Sequence, residues 1–111
     1  MKILAIGDLV GESGVKKLKQ ELPRIRAQEN IDFVIANGEN SAEGMGITEK
    51  MYKELISSKV NVVTMGNHTW GKKDIFGFMD DKRIIRPANY SKGVPGKGYN
   101  IYKCKNKKIA V

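Results

Sequence analysis

The chain is poor in cysteine, histidine and proline, and its charge is unevenly spread. Among its 111 residues Cys104 is the only cysteine, His68 the only histidine and Trp70 the only tryptophan, and there are 3 prolines. A lone cysteine excludes a disulfide framework and fits a reducing compartment. No apolar run approaches the ~20 residues that span a bilayer. The first apolar run breaks at Asp8, too early for the core of a signal peptide. The expectation is a cytoplasmic protein with no membrane partner. No acid follows Asp81, whereas lysine and arginine recur to the end, and the whole chain carries 20 basic against 12 acidic residues, a net +8. Such a balance favours phosphate-bearing or other anionic partners. At this length the chain holds one domain at most.

What is present is a repeated build. Ile3-Leu4-Ala5-Ile6 ends in Gly7-Asp8, Phe33-Val34-Ile35-Ala36 ends in Asn37-Gly38-Glu39-Asn40, and Val60-Asn61-Val62-Val63-Thr64-Met65 ends in Gly66-Asn67-His68. Each is an aliphatic run closed by glycine and then by residues that ligate a metal or move a proton. The three tips stand roughly 30 residues apart, the length of a βαβ unit. If the runs are neighbouring parallel strands, Asp8, Glu39, Asn40, Asn67 and His68 meet beyond their carboxyl ends, where open α/β sheets bind ligands. Carboxylate and amide oxygens with an imidazole suit manganese, iron, magnesium or zinc. Glu39, on the middle tip, is the natural bridge for two ions about 4 Å apart.

Between the tips the pattern is helical. Val15, Leu18, Leu22 and Ile25 form one stripe, with Ser13 or Glu12 as the expected cap and Pro23 expected to kink or shorten the helix. Thr48 is the expected N-cap of a second helix with Met51, Tyr52, Leu55 and Ile56 inward. Strands are expected at 31–36, 60–65 and around Ile84-Ile85. A third helical face is expected over 72–80, carrying Ile75, Phe76 and Met79. Tyr99–Lys103 and Lys107–Val111 pair as a hairpin through Asn106. Trp70, Met45 and Phe76 read as packing residues, and Asn89 as a candidate at the rim of the site. The run Ile109-Ala110-Val111 ends the sequence without a polar cap, so residues 1–111 are expected to be the N-terminal portion of a longer domain.

Taken in order, Gly7-Asp8-Leu9-Val10-Gly11, Asn37-Gly38-Glu39-Asn40, Gly66-Asn67-His68-Thr69-Trp70, Arg86-Pro87-Ala88-Asn89 and Pro95-Gly96-Lys97-Gly98 resemble the calcineurin-like metallophosphoesterases. Within them they resemble the bacterial YmdB family of cyclic-nucleotide phosphodiesterases. Gly-Asn-His alone is only suggestive; the ordered set is specific. Val10 stands where the wider superfamily has histidine, and Glu39-Asn40 where it has aspartate, and both departures match the narrower family.

The resemblance implies the N-terminal half of an α/β sandwich, mostly parallel, with flanking helices and a C-terminal hairpin. It implies a dinuclear site of divalent or trivalent transition-metal ions, iron or manganese first and magnesium or zinc next. Asp8 and Asn40 would hold the first ion, Glu39 would bridge, Asn67 would hold the second, and His68 would serve the leaving oxygen. The implied activity is hydrolysis of cyclic nucleotides, 2',3'-cyclic and also 3',5'-cyclic. The family takes further histidine ligands from its second half, so the isolated chain is expected to be weakly active or inactive, and to self-associate or require that half.

Three rivals remain at this stage. A serine esterase would need a nucleophile where Leu9 stands. A phosphate loop built on Gly7, Gly11 and Gly14 fits neither common glycine pattern. A non-catalytic nucleotide- or RNA-binding module would use the basic tail, which lacks the interleaved aromatics of single-strand binders.

Overall fold

A computed structural model describes residues 1–111. Strands β1 (Ile3–Ile6), β2 (Phe33–Asn37), β3 (Val62–Thr64) and β4 (Ile84–Ile85) form a four-stranded parallel sheet in the order β1-β2-β3-β4. Its register pairs Ile6 with Ala36, Asn37 with Thr64, and Thr64 with Ile85. Helices α1 (Gly11–Glu29) and α2 (Glu49–Ser57) are the crossovers. Both lie on one face, as right-handed connections between strands added in one direction require.

That face is the larger core. Val15, Leu18 and Leu22 of α1 and Met51, Tyr52 and Leu55 of α2 pack on Val34, Ala36, Val63 and Ile84. Each fully buried aliphatic side chain stabilises the fold by ~1.5–3 kcal/mol. The opposite face carries Phe33, Val62 and Ile85, covered by a second sheet of strands β5 (Ile101–Cys104) and β6 (Lys107–Ala110) through Ile109 and Tyr102. This hairpin is the expected one, though β5 starts two residues later and runs one further, to Cys104, and β6 stops one residue earlier, at Ala110. Lys105 Nζ pins its turn to Asp32 Oδ1 at 2.7 Å, at the amino end of β2 and away from the strand tips. The Lys105 hydrogen bond holds the Asp32 carboxyl below the usual carboxylate range. Within the parallel sheet β1 is covered least: Ile3 is 44% exposed.

Several local expectations are corrected. The first helix is neither capped by Ser13 or Glu12 nor broken at Pro23; it runs unbroken over 19 residues from an N-cap at Val10 that makes no side-chain cap bond. Its first amide, Gly11 N–H, is satisfied instead by the Asn40 carbonyl at 3.0 Å. Pro23 lies on the exposed face, where water can take over the carbonyl that loses its N–H donor. The strand expected at 31–36 starts at Phe33 and runs on to Asn37, and that at 60–65 contracts to β3. The segment after His68 is a short 3-10 helix, Lys73–Gly77, in which Ile75 is buried but Phe76 is 59% exposed. A three-residue turn sends Ile75 and Phe78 inward together, and Phe76 outward. Thr48 does cap α2, accepting from Met51 N–H at 3.2 Å.

One buried group is left unsatisfied. The Tyr52 ring stacks on Phe78 with centroids 4.7 Å apart, and its hydroxyl is buried without a hydrogen-bond partner. Burial, then the nearby Asp81 carboxylate, pushes the phenol above its ordinary range. An unsatisfied buried hydroxyl costs ~1–3 kcal/mol. Tyr52→Phe is therefore expected to raise the denaturation midpoint by about 1 kcal/mol equivalent at unchanged slope. A loss of stability would mean that the hydroxyl is bonded, with Asp81 the nearest candidate.

Candidate metal centre

All three glycine-bearing tips leave the carboxyl edge of the parallel sheet, and backbone bonds fasten them to one another. Leu9 N–H donates to Asn37 O at 3.1 Å, Gly11 N–H to Asn40 O at 3.0 Å, and Gly38 N–H to Thr64 O at 3.0 Å. The ladder thus continues past the last strand residue on both sides of the middle tip. These bonds bring Asp8, Glu39, Asn40 and His68 together although 60 residues of chain separate the first from the last.

The side chains form a connected set. Asn40 Nδ2 donates to Asp8 Oδ1 at 2.7 Å, and Asn40 Oδ1 meets His68 Nδ1 at 2.5 Å. Glu39 Oε2 accepts the His68 backbone N–H at 3.0 Å. The middle tip therefore holds the histidine twice, by ring and by backbone. Asp8 is exposed, Glu39, Asn40 and His68 are half-buried, and Asn67 is exposed with no side-chain hydrogen bond. Asn67 shares the edge but is not joined to the others.

Gly66 explains why the carboxylate fits there. A Cβ at position 66 would overlap both Glu39 carboxylate oxygens. The absent side chain of the third tip is the seat of the second tip's carboxylate. The Gly66 carbonyl in turn accepts from Thr69 Oγ1 at 2.6 Å and from Tyr90 Oη at 2.9 Å. Neither residue was singled out as a site residue in the sequence. Thr69 had a signal, since a hydroxyl three residues after glycine commonly closes a turn onto its carbonyl. Tyr90 lies in a separate loop held by Arg86, and nothing in the sequence links it to Gly66. Asn89, the rim candidate, is exposed.

The donor set suits a hard or borderline cation: two carboxylates, two amides and an imidazole. Acidic, histidine and cysteine side chains nowhere gather in a group of three able to hold a metal ion, so an ion held at this edge would need amide oxygens as well. An ion shared by Asp8 and Asn40 also requires the Asn40 amide to turn, because its nitrogen now faces Asp8. With the oxygen instead on His68, the neutral imidazole carries its proton on Nδ1 and leaves Nε2 without a protein partner. In the metal-free protein a long-range ¹H–¹⁵N spectrum is expected to show the Nδ1–H tautomer, and Asn40→Ala to lose that preference. An Nε2–H tautomer in the unsubstituted protein would contradict the assigned amide orientation.

The family profile described as "YmdB-like protein" matches residues 4–111. A Bacillus subtilis (strain 168) protein named 2',3'-cyclic-nucleotide 2'-phosphodiesterase is 48% identical over 112 residues, covering 100% of this chain and 42% of that protein. A putative phosphatase/phosphodiesterase of Mycoplasma pneumoniae is 37% identical over 90 residues, covering 80% of this chain and 32% of that protein. Among solved structures, a hypothetical protein from Thermus thermophilus superposes with TM-score 0.93 at 36% identity, over 99% of this chain and 43% of the other. A Mycoplasma pneumoniae structure described as a novel phosphatase gives TM-score 0.91 at 31% identity, over 99% of this chain and 41% of the other. The chain thus spans less than half the length of these relatives. No helix is long and apolar enough to cross a membrane. A profile match over nearly all of the chain, with every tip inside it, shows that the chain belongs to the YmdB-like family.

Proposed function

We propose that this chain is the N-terminal portion of a metal-dependent phosphodiesterase that hydrolyses cyclic nucleotides, 2',3'-cyclic and also 3',5'-cyclic. The observation that carries the reading is the connected set Asp8–Asn40–His68, with Glu39 on the His68 amide, at the carboxyl edge of a parallel sheet. The name of the Bacillus subtilis relative supports the substrate class. Its coverage of 42% supports placing further ligands in the part of the domain beyond these residues. The exposed apolar side of β1 supports the packing of that part against it. A single cysteine supports a cytoplasmic location.

Asp8, Glu39, Asn40 and Asn67 are the proposed holders of two ions, iron or manganese in the first place and magnesium or zinc next, with Glu39 shared between them. Ions so held supply charge neutralisation at the phosphoryl oxygens and activation of water. The chain's own residues then have defined tasks. Glu39 fixes the third tip through the His68 amide while its other oxygen makes no hydrogen bond within the protein. With its oxygen turned to an ion, Asn40 presents its amide nitrogen to His68 Nδ1, which accepts and leaves the imidazole proton on Nε2. From Nε2–H, His68 donates to the ribose oxygen that leaves phosphorus.

The test is His68→Ala in the full-length protein, assayed on 2',3'-cyclic AMP with metal content measured in parallel. Turnover is expected to fall by ~10²–10⁴-fold, the usual worth of a positioned acid or base, with metal content unchanged. Undiminished turnover would remove His68 from the chemistry.

A further inference from the structure

A second feature adjoins the His68 tip. The rings of Trp70 and Phe76 stack nearly parallel, 5° apart in plane with centroids at 5.4 Å, and Tyr90 lies tilted by 33° at 6.3 Å from Trp70. The series is fastened to the site at two points. Tyr90 Oη donates to the Gly66 carbonyl, and the turn that presents Trp70 closes by Gly71 N–H to the His68 carbonyl at 2.9 Å. The outer ring is not buried: Phe76 is 59% exposed, and Met45, 54% exposed, lies against Gly71 on the same turn. The core takes Ile75 and Phe78 from this segment and leaves Phe76 outside. Residues 1–111 thus hold a phenyl ring parallel to an indole and leave much of its surface open.

We infer that Phe76, backed by Trp70 and Tyr90, is a stacking shelf for the nucleobase of a nucleotide whose phosphate lies at the Asp8–Glu39–His68 tips. The identity of the ligand as a nucleotide rests on the phosphodiesterase reading. The shelf itself rests on the ring geometry. Every base has a π-face, and base–aromatic stacking is worth ~1–3 kcal/mol per base whatever the sequence. The shelf therefore favours a base-bearing phosphodiester over a bare sugar phosphate, and tolerates purines and pyrimidines alike. It assigns to Phe76 a binding role and no part in proton transfer.

The test uses adenosine 3'-monophosphate and ribose 5-phosphate, each titrated by calorimetry into the metal-free protein in EDTA. Emission is followed in parallel, because Trp70 is the only tryptophan of this chain. The nucleotide is expected to bind and to perturb Trp70 emission, and ribose 5-phosphate to bind at least tenfold more weakly. Phe76→Ala and Phe76→Leu are both expected to weaken nucleotide binding roughly tenfold or more with unchanged far-UV circular dichroism. The leucine variant keeps the apolar bulk and removes only the π-face. Equal binding of the two ligands, or nucleotide affinity unmoved in both variants, overturns the shelf. Should the base-dependent binding hold while cyclic nucleotides are not hydrolysed, the shelf stands and the phosphodiesterase reading fails. Hydrolysis without base dependence is the reverse result and sinks the shelf alone.

Discussion

Glu39→Ala is expected to abolish metal binding, with Mn²⁺ affinity measured by calorimetry falling by more than the ~10–100-fold that loss of an outer partner costs. Glu39 has the largest predicted effect because it acts in two ways. It is a carboxylate on the middle tip, where the strand order β1-β2-β3 puts it between Asp8 and Asn67. It also accepts the His68 amide, so its removal frees the third tip from the second. Glu39→Gln separates the two effects: the amide oxygen still accepts from His68 N–H, and the charge is gone. Weak metal binding in both variants assigns the loss to charge; weak binding in alanine alone assigns it to the tip. Retention of both ions in Glu39→Ala refutes the bridge.

The second large effect is expected at a residue with no side chain. Gly66→Ala places a methyl carbon where the Glu39 carboxylate now lies. Gly66 is not among the glycines with positive φ, so the backbone itself accepts alanine and the collision is the only obstacle. Because the carboxylate is the far end of a flexible side chain it can move aside, so the expected loss falls on metal affinity, by ~10–100-fold, more than on stability. Gly7→Ala is the control. It also follows an apolar strand into a tip, but a Cβ there meets nothing within 4 Å. It should leave stability within ~0.5 kcal/mol and metal affinity unchanged. Equal effects at Gly7 and Gly66 would mean that glycine matters there for backbone freedom and not as a seat for Glu39.

The elements that position the site were legible because each is a local pattern with one reading. Aliphatic runs closed by glycine gave strands and tips, Thr48 gave a helix start, and Lys107–Ala110 after a short polar turn gave a hairpin. The parallel pairing then brought Asp8 and His68 onto one edge. What stayed hidden depends on which side of an element faces water. Pro23 suits a long helix only because it is exposed, and exposure is a tertiary fact. Phe76 has helical spacing from Met79, yet a tighter turn points it outward. The reach of Tyr90 to Gly66 crosses 24 residues of irregular chain, and no periodicity records it. The same limit held within the site: spacing grouped Asp8, Glu39, Asn40, Asn67 and His68, but the amide orientation of Asn40 between Asp8 and His68 is settled by hydrogen bonding alone.

The central claim is that the tips after β1, β2 and β3 form one metal centre, and Mn²⁺ broadening of backbone amide signals tests it most directly. At substoichiometric Mn²⁺ the account predicts selective loss of the Asp8, Glu39, Asn40, Asn67 and His68 amides, with those of β5 and β6 unaffected. Broadening centred instead on Asp32 or on Asp80-Asp81, or spread evenly over the exposed acids, would contradict it.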